Sequence, residues 1–122
     1  MNVRLVRRGS GGLALLCFLI IVVASFRPID LAVSVNHGDK VGHLLAYAAL
    51  AFFWSLAGTQ GLRRLIVIFI VCALLGSLIE VIQPSFDRFG GIADAVADLL
   101  GAGLGVLLSV VGGTVMSRQQ ST

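Results

Sequence analysis

Long stretches without charge constrain this chain more than any other feature. Four apolar segments cover most of its 122 residues, at about residues 10–26, 41–58, 65–82 and 92–116. A helix needs roughly 17–25 predominantly apolar residues to cross a bilayer. Charged residues make up only 12% of the chain, whereas about a quarter of a soluble domain is charged. The sequence therefore predicts one all-α domain, residues 1–122, with four transmembrane helices.

The first apolar segment follows three N-terminal arginines, an arrangement that the apolar core of a cleaved signal peptide also has. No clear small-x-small cleavage site precedes the charge at Arg27. We therefore predict an uncleaved first helix. Its apolar run starts at Leu13, so it reaches spanning length only by including the small residues Gly9–Gly12.

The distribution of basic residues predicts the orientation. With a cytoplasmic N-terminus, six of the nine basic residues lie on the cytoplasmic side: Arg4, Arg7, Arg8, Arg63, Arg64 and Arg118. Because cytoplasmic loops carry an excess of Lys and Arg, this count predicts that both termini are cytoplasmic. All six acidic residues then lie on the outer side: Asp30, Asp39, Glu80, Asp87, Asp94 and Asp98.

Polar residues recur at helical spacing near the outer helix ends. Asp39, His43 and Tyr47 are four residues apart, as are Asp94 and Asp98, so each set shares one helix face. A charge within a spanning helix costs on the order of 2.5–3.5 kcal/mol and normally faces protein or water. We therefore predict one polar site near the outer surface. Its candidate ligand-binding residues are Asp39, Lys40, His43, Glu80, Gln83, Arg88, Asp94 and Asp98.

Other interpretations of single residues stay open. Asp39 and Asp94 suit helix N-termini, where the helix dipole favours acids, and Tyr47 suits an interfacial aromatic position. One histidine among scattered carboxylates is weak support for a transition metal, so we predict no metal and no cofactor. No basic stretch is interleaved with aromatic residues, which argues against nucleic acid as a partner. The Gly101–Gly105 GxxxG motif favours either packing within the chain or a homo-oligomer.

The polar motifs resemble those of the VanZ-like family of small bacterial and archaeal membrane proteins. The family's pattern has Asp-Lys-x-x-His at the start of one helix, which matches Asp39, Lys40 and His43. A hydrophobic helix that ends in Glu-x-x-Gln comes next, and here it ends in Glu80 and Gln83.

The last part of the family's pattern is an Arg followed by an Asp-x-x-x-Asn-x-x-Gly helix. Arg88, Asp94 and Gly101 match it, but Asp98 stands where the family has Asn. This departure adds an acid to the cluster. The resemblance covers about residues 30–110 and implies a four-helix protein of a prokaryotic cell membrane with a shared polar site. The family is named after a protein associated with resistance to the glycopeptide antibiotic teicoplanin, so the resemblance also suggests a link to such resistance.

From the residues themselves, we expect the site to bind a polar or anionic envelope component, such as the head group of a membrane lipid or of a lipid-linked precursor. Lys40, His43 and Arg88 would contact phosphate, since Arg donates two parallel hydrogen bonds to it. The acids outnumber the bases, so a cation is another ligand class. One alternative is an intramembrane hydrolase or transferase that uses His43 with Glu80 or Asp94. Another is a purely structural cluster.

Overall fold

The computed structural model describes residues 2–26, 38–82 and 91–118, and these residues form an all-α bundle. Its helices are α1 (Val3–Phe26), α2 (Gly38–Leu56), α3 (Leu62–Ile82) and α4 (Ile92–Arg118). Helices α1, α3 and α4 are long and apolar enough to cross a membrane, while the apolar part of α2, Lys40–Leu56, is shorter. The all-α class is therefore confirmed.

The observed helix bounds differ from the predicted ones mainly at the basic ends. Helix α1 begins at Val3 rather than near residue 10 because Asn2 caps it: the Asn2 side-chain oxygen accepts a hydrogen bond of 3.1 Å from the Arg4 amide. Helix α3 begins at Leu62 rather than at residue 65, and α4 extends to Arg118. Hydropathy locates the apolar run, whereas backbone hydrogen bonds and caps decide where a helix ends.

Helix α2 lies at the centre of the bundle, where it contacts the other three helices and packs most extensively on α4. Gly101 and Gly105 make this approach close. A methyl group at either position would overlap the α2 backbone, at the carbonyl oxygens of Leu44 and Ala48 respectively. The GxxxG motif is thus used within the chain, so these two positions leave no room for a second copy. A homo-oligomer, which the same motif suggested, stays a prediction.

The bundle is apolar on the outside and partly polar on the inside. Large apolar side chains such as Leu74, Leu78 and Leu107 are more than half exposed. The buried polar residues are Ser10, Ser25, Ser55, Asp94, Asp98 and Ser109. Two of the serines bond within their own helices, since Ser25 and Ser109 donate to the carbonyls of Ile21 and Val106 at 2.6 Å. Such a surface suits lipid rather than water as the surroundings.

One end of the bundle collects the basic residues. Its cavity of about 390 Å³ is lined by the start of α1 (Arg7), the α2–α3 connection (Thr59 and Gln60) and the end of α4 (Met116 and Ser117). The starts of α1 and α3 and the ends of α2 and α4 therefore lie together, and we call this the basic end. The opposite end, which carries His43, Glu80, Asp94 and Asp98, we call the polar end.

Candidate polar site

A hydrogen bond between α2 and α4 forms the centre of the polar end. Nδ1 of His43 and Oδ1 of Asp98 are 2.9 Å apart. The two side chains are 13% and 3% exposed respectively, so water has little access to the pair. The helices approach closely enough for this contact because Gly101, less than one turn beyond Asp98, lets α4 meet the backbone of α2 at Leu44.

Helix α3 contributes Glu80 to the same cluster. One ligand atom from each of His43, Glu80 and Asp98 lies within 4.8 Å of the other two. Gly76, one turn before Glu80, makes space for the carboxylate of Asp98, because a Cβ atom there would be 2.6 Å from Oδ2. Three helices therefore converge on one small polar volume within an apolar bundle.

Two further polar atoms are buried beside this cluster. Tyr47, one turn after His43, is 2% exposed. Asp94, one turn before Asp98, is 8% exposed. Neither the Tyr47 hydroxyl nor Asp94 Oδ1 has a hydrogen-bond partner among residues 2–26, 38–82 and 91–118. Leaving such a group unsatisfied costs about 1–3 kcal/mol, so both atoms point to a partner outside these ranges.

The structure brings together part of the predicted set. His43, Glu80 and Asp98 meet, Asp94 is buried on the Asp98 face of α4, and Lys40 is exposed near the start of α2. Three other candidates lie outside what the structure describes: Gln83, Arg88 and the side chain of Asp39. The binding role of all eight stays a prediction.

Sequence reasoning missed two features of the site. It paired His43 with Glu80 or Asp94, whereas the structure pairs His43 with Asp98. Helical spacing shows which residues share a face but not how one helix is aligned along another. It also left out Gly76. The sequence indicates this position only by placing a small residue one turn before the acid Glu80 in an apolar helix.

The basic end has a different arrangement, centred on Arg64. Its guanidinium donates hydrogen bonds to the carbonyls of Trp54 at 2.6 Å, Ser55 at 2.8 Å and Thr59 at 3.3 Å. The side-chain amide of Gln60 also donates to the Ser55 carbonyl, at 2.9 Å. The last carbonyls of a helix lack partners within it, and Arg64 and Gln60 supply them for α2. The sequence had suggested only a topological role for Arg64.

No family model matches the chain, and no curated protein and no solved structure is significantly similar to it.

Proposed function

We propose that this chain is a VanZ-like protein with four transmembrane helices and both termini in the cytoplasm of a prokaryotic cell. We further propose that it binds a polar or anionic envelope component, such as the phosphate head group of a membrane lipid or lipid-linked precursor, at the polar end. The observation that supports binding best is the convergence of His43, Glu80 and Asp98 from three helices inside an apolar bundle.

A purely structural cluster accounts less well for the same residues. Interhelical polar contacts in membranes average only about 0.6 kcal/mol, a small return for burying several ionisable groups. A structural cluster would also be expected to satisfy its own buried atoms. The Tyr47 hydroxyl and Asp94 Oδ1 find no partner in the described part of the chain, which is compatible with a site that an outside molecule completes.

The proposed orientation presents this site to the outer side of the membrane, where the head groups of outer-leaflet lipids and translocated lipid-linked precursors lie. Reporter fusions after Arg118 test the orientation. We expect activity from a reporter that works only in the cytoplasm and none from one that works only outside. The reverse result would turn the polar end toward the cytoplasm and remove the case for an envelope ligand.

Binding is testable with short analogues of a lipid-linked head group. The purified protein in nanodiscs is titrated with farnesyl phosphate and, as the uncharged control, farnesol. We expect the phosphate to raise the unfolding temperature and farnesol to leave it unchanged. His43→Gln should weaken phosphate binding at least tenfold. The matched control is Ser109→Ala, a buried polar change on α4 well away from the cluster. Equal stabilisation by both probes would contradict the proposal.

The suggested link to glycopeptide resistance has its own test. Cells that express the wild-type chain should tolerate more teicoplanin than cells that express His43→Gln at equal abundance. Equal sensitivity of the two strains would remove the resistance role and leave head-group binding to be judged by the titration.

One observation favours an enzymatic alternative. The 2.9 Å contact between His43 and Asp98 is the arrangement of a general base held by an orienting carboxylate. In a hydrolysis, His43 would accept a proton from water as the oxygen attacks phosphorus and the bond to the leaving oxygen breaks. Release of inorganic phosphate from farnesyl diphosphate, abolished by His43→Gln, would favour this alternative. Binding without turnover would favour the binding function.

A further inference from the structure

We propose that His43, Glu80 and Asp98 bind a divalent transition-metal ion, of the class of Zn²⁺ or Mn²⁺. Their ligand atoms lie within 4.8 Å of one another. Two ligands at about 2.1 Å from one ion are at most about 4.2 Å apart. Ligands in neighbouring positions around one ion lie closer, about 3–3.4 Å apart, so the three side chains would have to draw together by up to about 2 Å, a shift that side-chain rotamers can supply.

The contact between His43 and Asp98 already has a suitable length. Nδ1 of His43 and Oδ1 of Asp98 are 2.9 Å apart, whereas neighbouring ligands of an octahedral ion at 2.1 Å are about 3 Å apart. The lone pairs of the imidazole nitrogen and the carboxylate oxygen repel each other at this distance unless a proton or a metal ion interacts with both atoms. A proton on the imidazole provides that charge in a hydrogen bond. A metal ion provides it when the proton leaves.

The ligand types narrow the choice of ion. Imidazole nitrogen suits Zn²⁺ and other first-row transition metals, whereas Ca²⁺ and Mg²⁺ prefer oxygen ligands throughout. One nitrogen and two carboxylates therefore favour Zn²⁺ or Mn²⁺. Three protein ligands leave at least one coordination position open, which is the pattern of sites that bind water or an outside ligand rather than closed structural sites.

Tyr47 and Asp94 support the proposal independently of the three ligands. The Tyr47 hydroxyl is buried one turn after His43 and has no partner within the described ranges. Asp94 Oδ1 is likewise buried and unsatisfied within those ranges, one turn before Asp98. Groups placed this way hydrogen-bond the water or ligand at an open metal position and orient the protein ligands. A water molecule or ligand at the open metal position would give the Tyr47 hydroxyl and Asp94 Oδ1 a partner.

A bound metal also resolves the charge conflict in the cluster. Two carboxylates and a neutral imidazole repel an anion, but a divalent ion cancels both negative charges and offers a positive centre at its open position. Phosphate could then bind where the protein alone is acidic. This last step rests on the proposed function, whereas the metal site itself does not. The sequence predicted no metal because one histidine among scattered carboxylates is weak support for one, and helical spacing gives no distance between helices.

The test uses the metals alone. Protein without a histidine tag is stripped with a chelator in detergent and titrated calorimetrically with ZnCl₂ and MnCl₂. We expect one ion per chain, with Ca²⁺ and Mg²⁺ at least tenfold weaker. His43→Gln, Glu80→Gln and Asp98→Asn should each weaken binding by about tenfold or more, and Ser109→Ala should not. X-ray absorption should show nitrogen and oxygen ligands and no sulfur, since Cys17 and Cys72 are not in the cluster.

A substitution that keeps all three ligands can also test the geometry of the metal site. Gly76→Ala crowds the Asp98 carboxylate, because the new Cβ would lie 2.6 Å from Oδ2. Gly103→Ala is the matched control, since its Cβ would meet only Phe69 at an ordinary 3.7 Å. We expect Gly76→Ala to reduce metal affinity several-fold and Gly103→Ala to leave it unchanged. Circular dichroism checks that both variants are folded.

Absence of Zn²⁺ and Mn²⁺ binding by folded wild-type protein would overturn the metal site, and this result needs no variant. Unchanged affinity in the ligand variants would overturn it equally. Farnesyl phosphate that binds as tightly to stripped protein as to metal-loaded protein would leave the proposed function standing without the metal step. Metal binding without farnesyl phosphate binding would keep the metal site and reject the proposed function.

Discussion

The two ends of the bundle satisfy their polar groups in different ways. At the basic end, Arg64 and Gln60 donate four hydrogen bonds to carbonyls at and beyond the end of α2. The side chain of Ser55 is an exception, since its hydroxyl has no hydrogen-bond partner in the described ranges. At the polar end, His43 and Asp98 form a hydrogen bond between two ionisable groups. The buried Tyr47 hydroxyl and Asp94 Oδ1 have no hydrogen-bond partner in the described ranges.

This difference separates a polar group that completes the fold from a cluster for which we propose a ligand. Arg64 removes a known deficit, because helix ends lack partners for their carbonyls. No comparable deficit explains the acids of the polar end, since Asp98 lies inside α4 and Glu80 inside α3. Polar residues placed inside spanning helices without such a reason are candidates for function. The contrast can be tested by matched changes at the two ends.

The largest loss of stability should come from adding a methyl group at the polar end, where α4 lies against the α2 backbone. Gly101→Ala puts a methyl group into the α2 backbone, within 3.1 Å of three Leu44 atoms, and should lower the free energy of unfolding by about 1–3 kcal/mol. Gly112→Ala at the basic end meets Leu56 at 3.9 Å and should change little. Reversible unfolding in detergent measures both. Equal losses would mean that the two ends are packed alike.

A second effect should appear when the cap of α2 is removed. Arg64→Gln loses the hydrogen bonds to the carbonyls of Trp54, Ser55 and Thr59 and should destabilise the fold by about 1–2 kcal/mol. Arg63→Gln removes the same charge from an exposed position and should be nearly neutral. Thermal unfolding of both variants compares their losses of stability. A similar loss from each would show that charge at the basic end, and not capping, provides the stability.

A smaller change in stability is expected from Asp98→Asn. The amide oxygen can still accept a hydrogen bond from His43, and the shape is unchanged, so we expect the free energy of unfolding to stay within about 1 kcal/mol. Metal binding at the polar end should nevertheless fall, because an anionic ligand of the proposed ion is lost. Unfolding and titration of one preparation separate the two effects. A marked loss of folded protein would instead make the Asp98 charge part of the structure.

The smallest effect should come from removing single hydroxyls. Tyr47→Phe and Ser55→Ala each delete a buried hydroxyl that has no partner in the described ranges. Losing such a group should leave stability unchanged or slightly raised, because no hydrogen bond is broken. Only Tyr47→Phe should weaken ligand or metal binding. If Ser55→Ala weakened binding equally, the polar end would have no special role.

The sequence by itself determined the class of protein and the helices. Charge-free stretches of spanning length leave few structures other than apolar helices, because backbone groups in lipid must be hydrogen-bonded within the chain. Helical spacing also showed that His43 and Tyr47 share one face, as do Asp94 and Asp98. It predicted that these polar residues would gather at one end, where His43, Glu80 and Asp98 do meet.

Only the tertiary structure decided which residues pair. The contact between His43 and Asp98 depends on how α4 is aligned along α2, and that alignment follows from close backbone contact at Gly101 and Gly105. The space that Gly76 leaves for a carboxylate and the cap that Arg64 forms on α2 also join separate elements. Local sequence fixes the period of a helix, but distances between helices depend on side-chain volumes that meet only after the chain has packed.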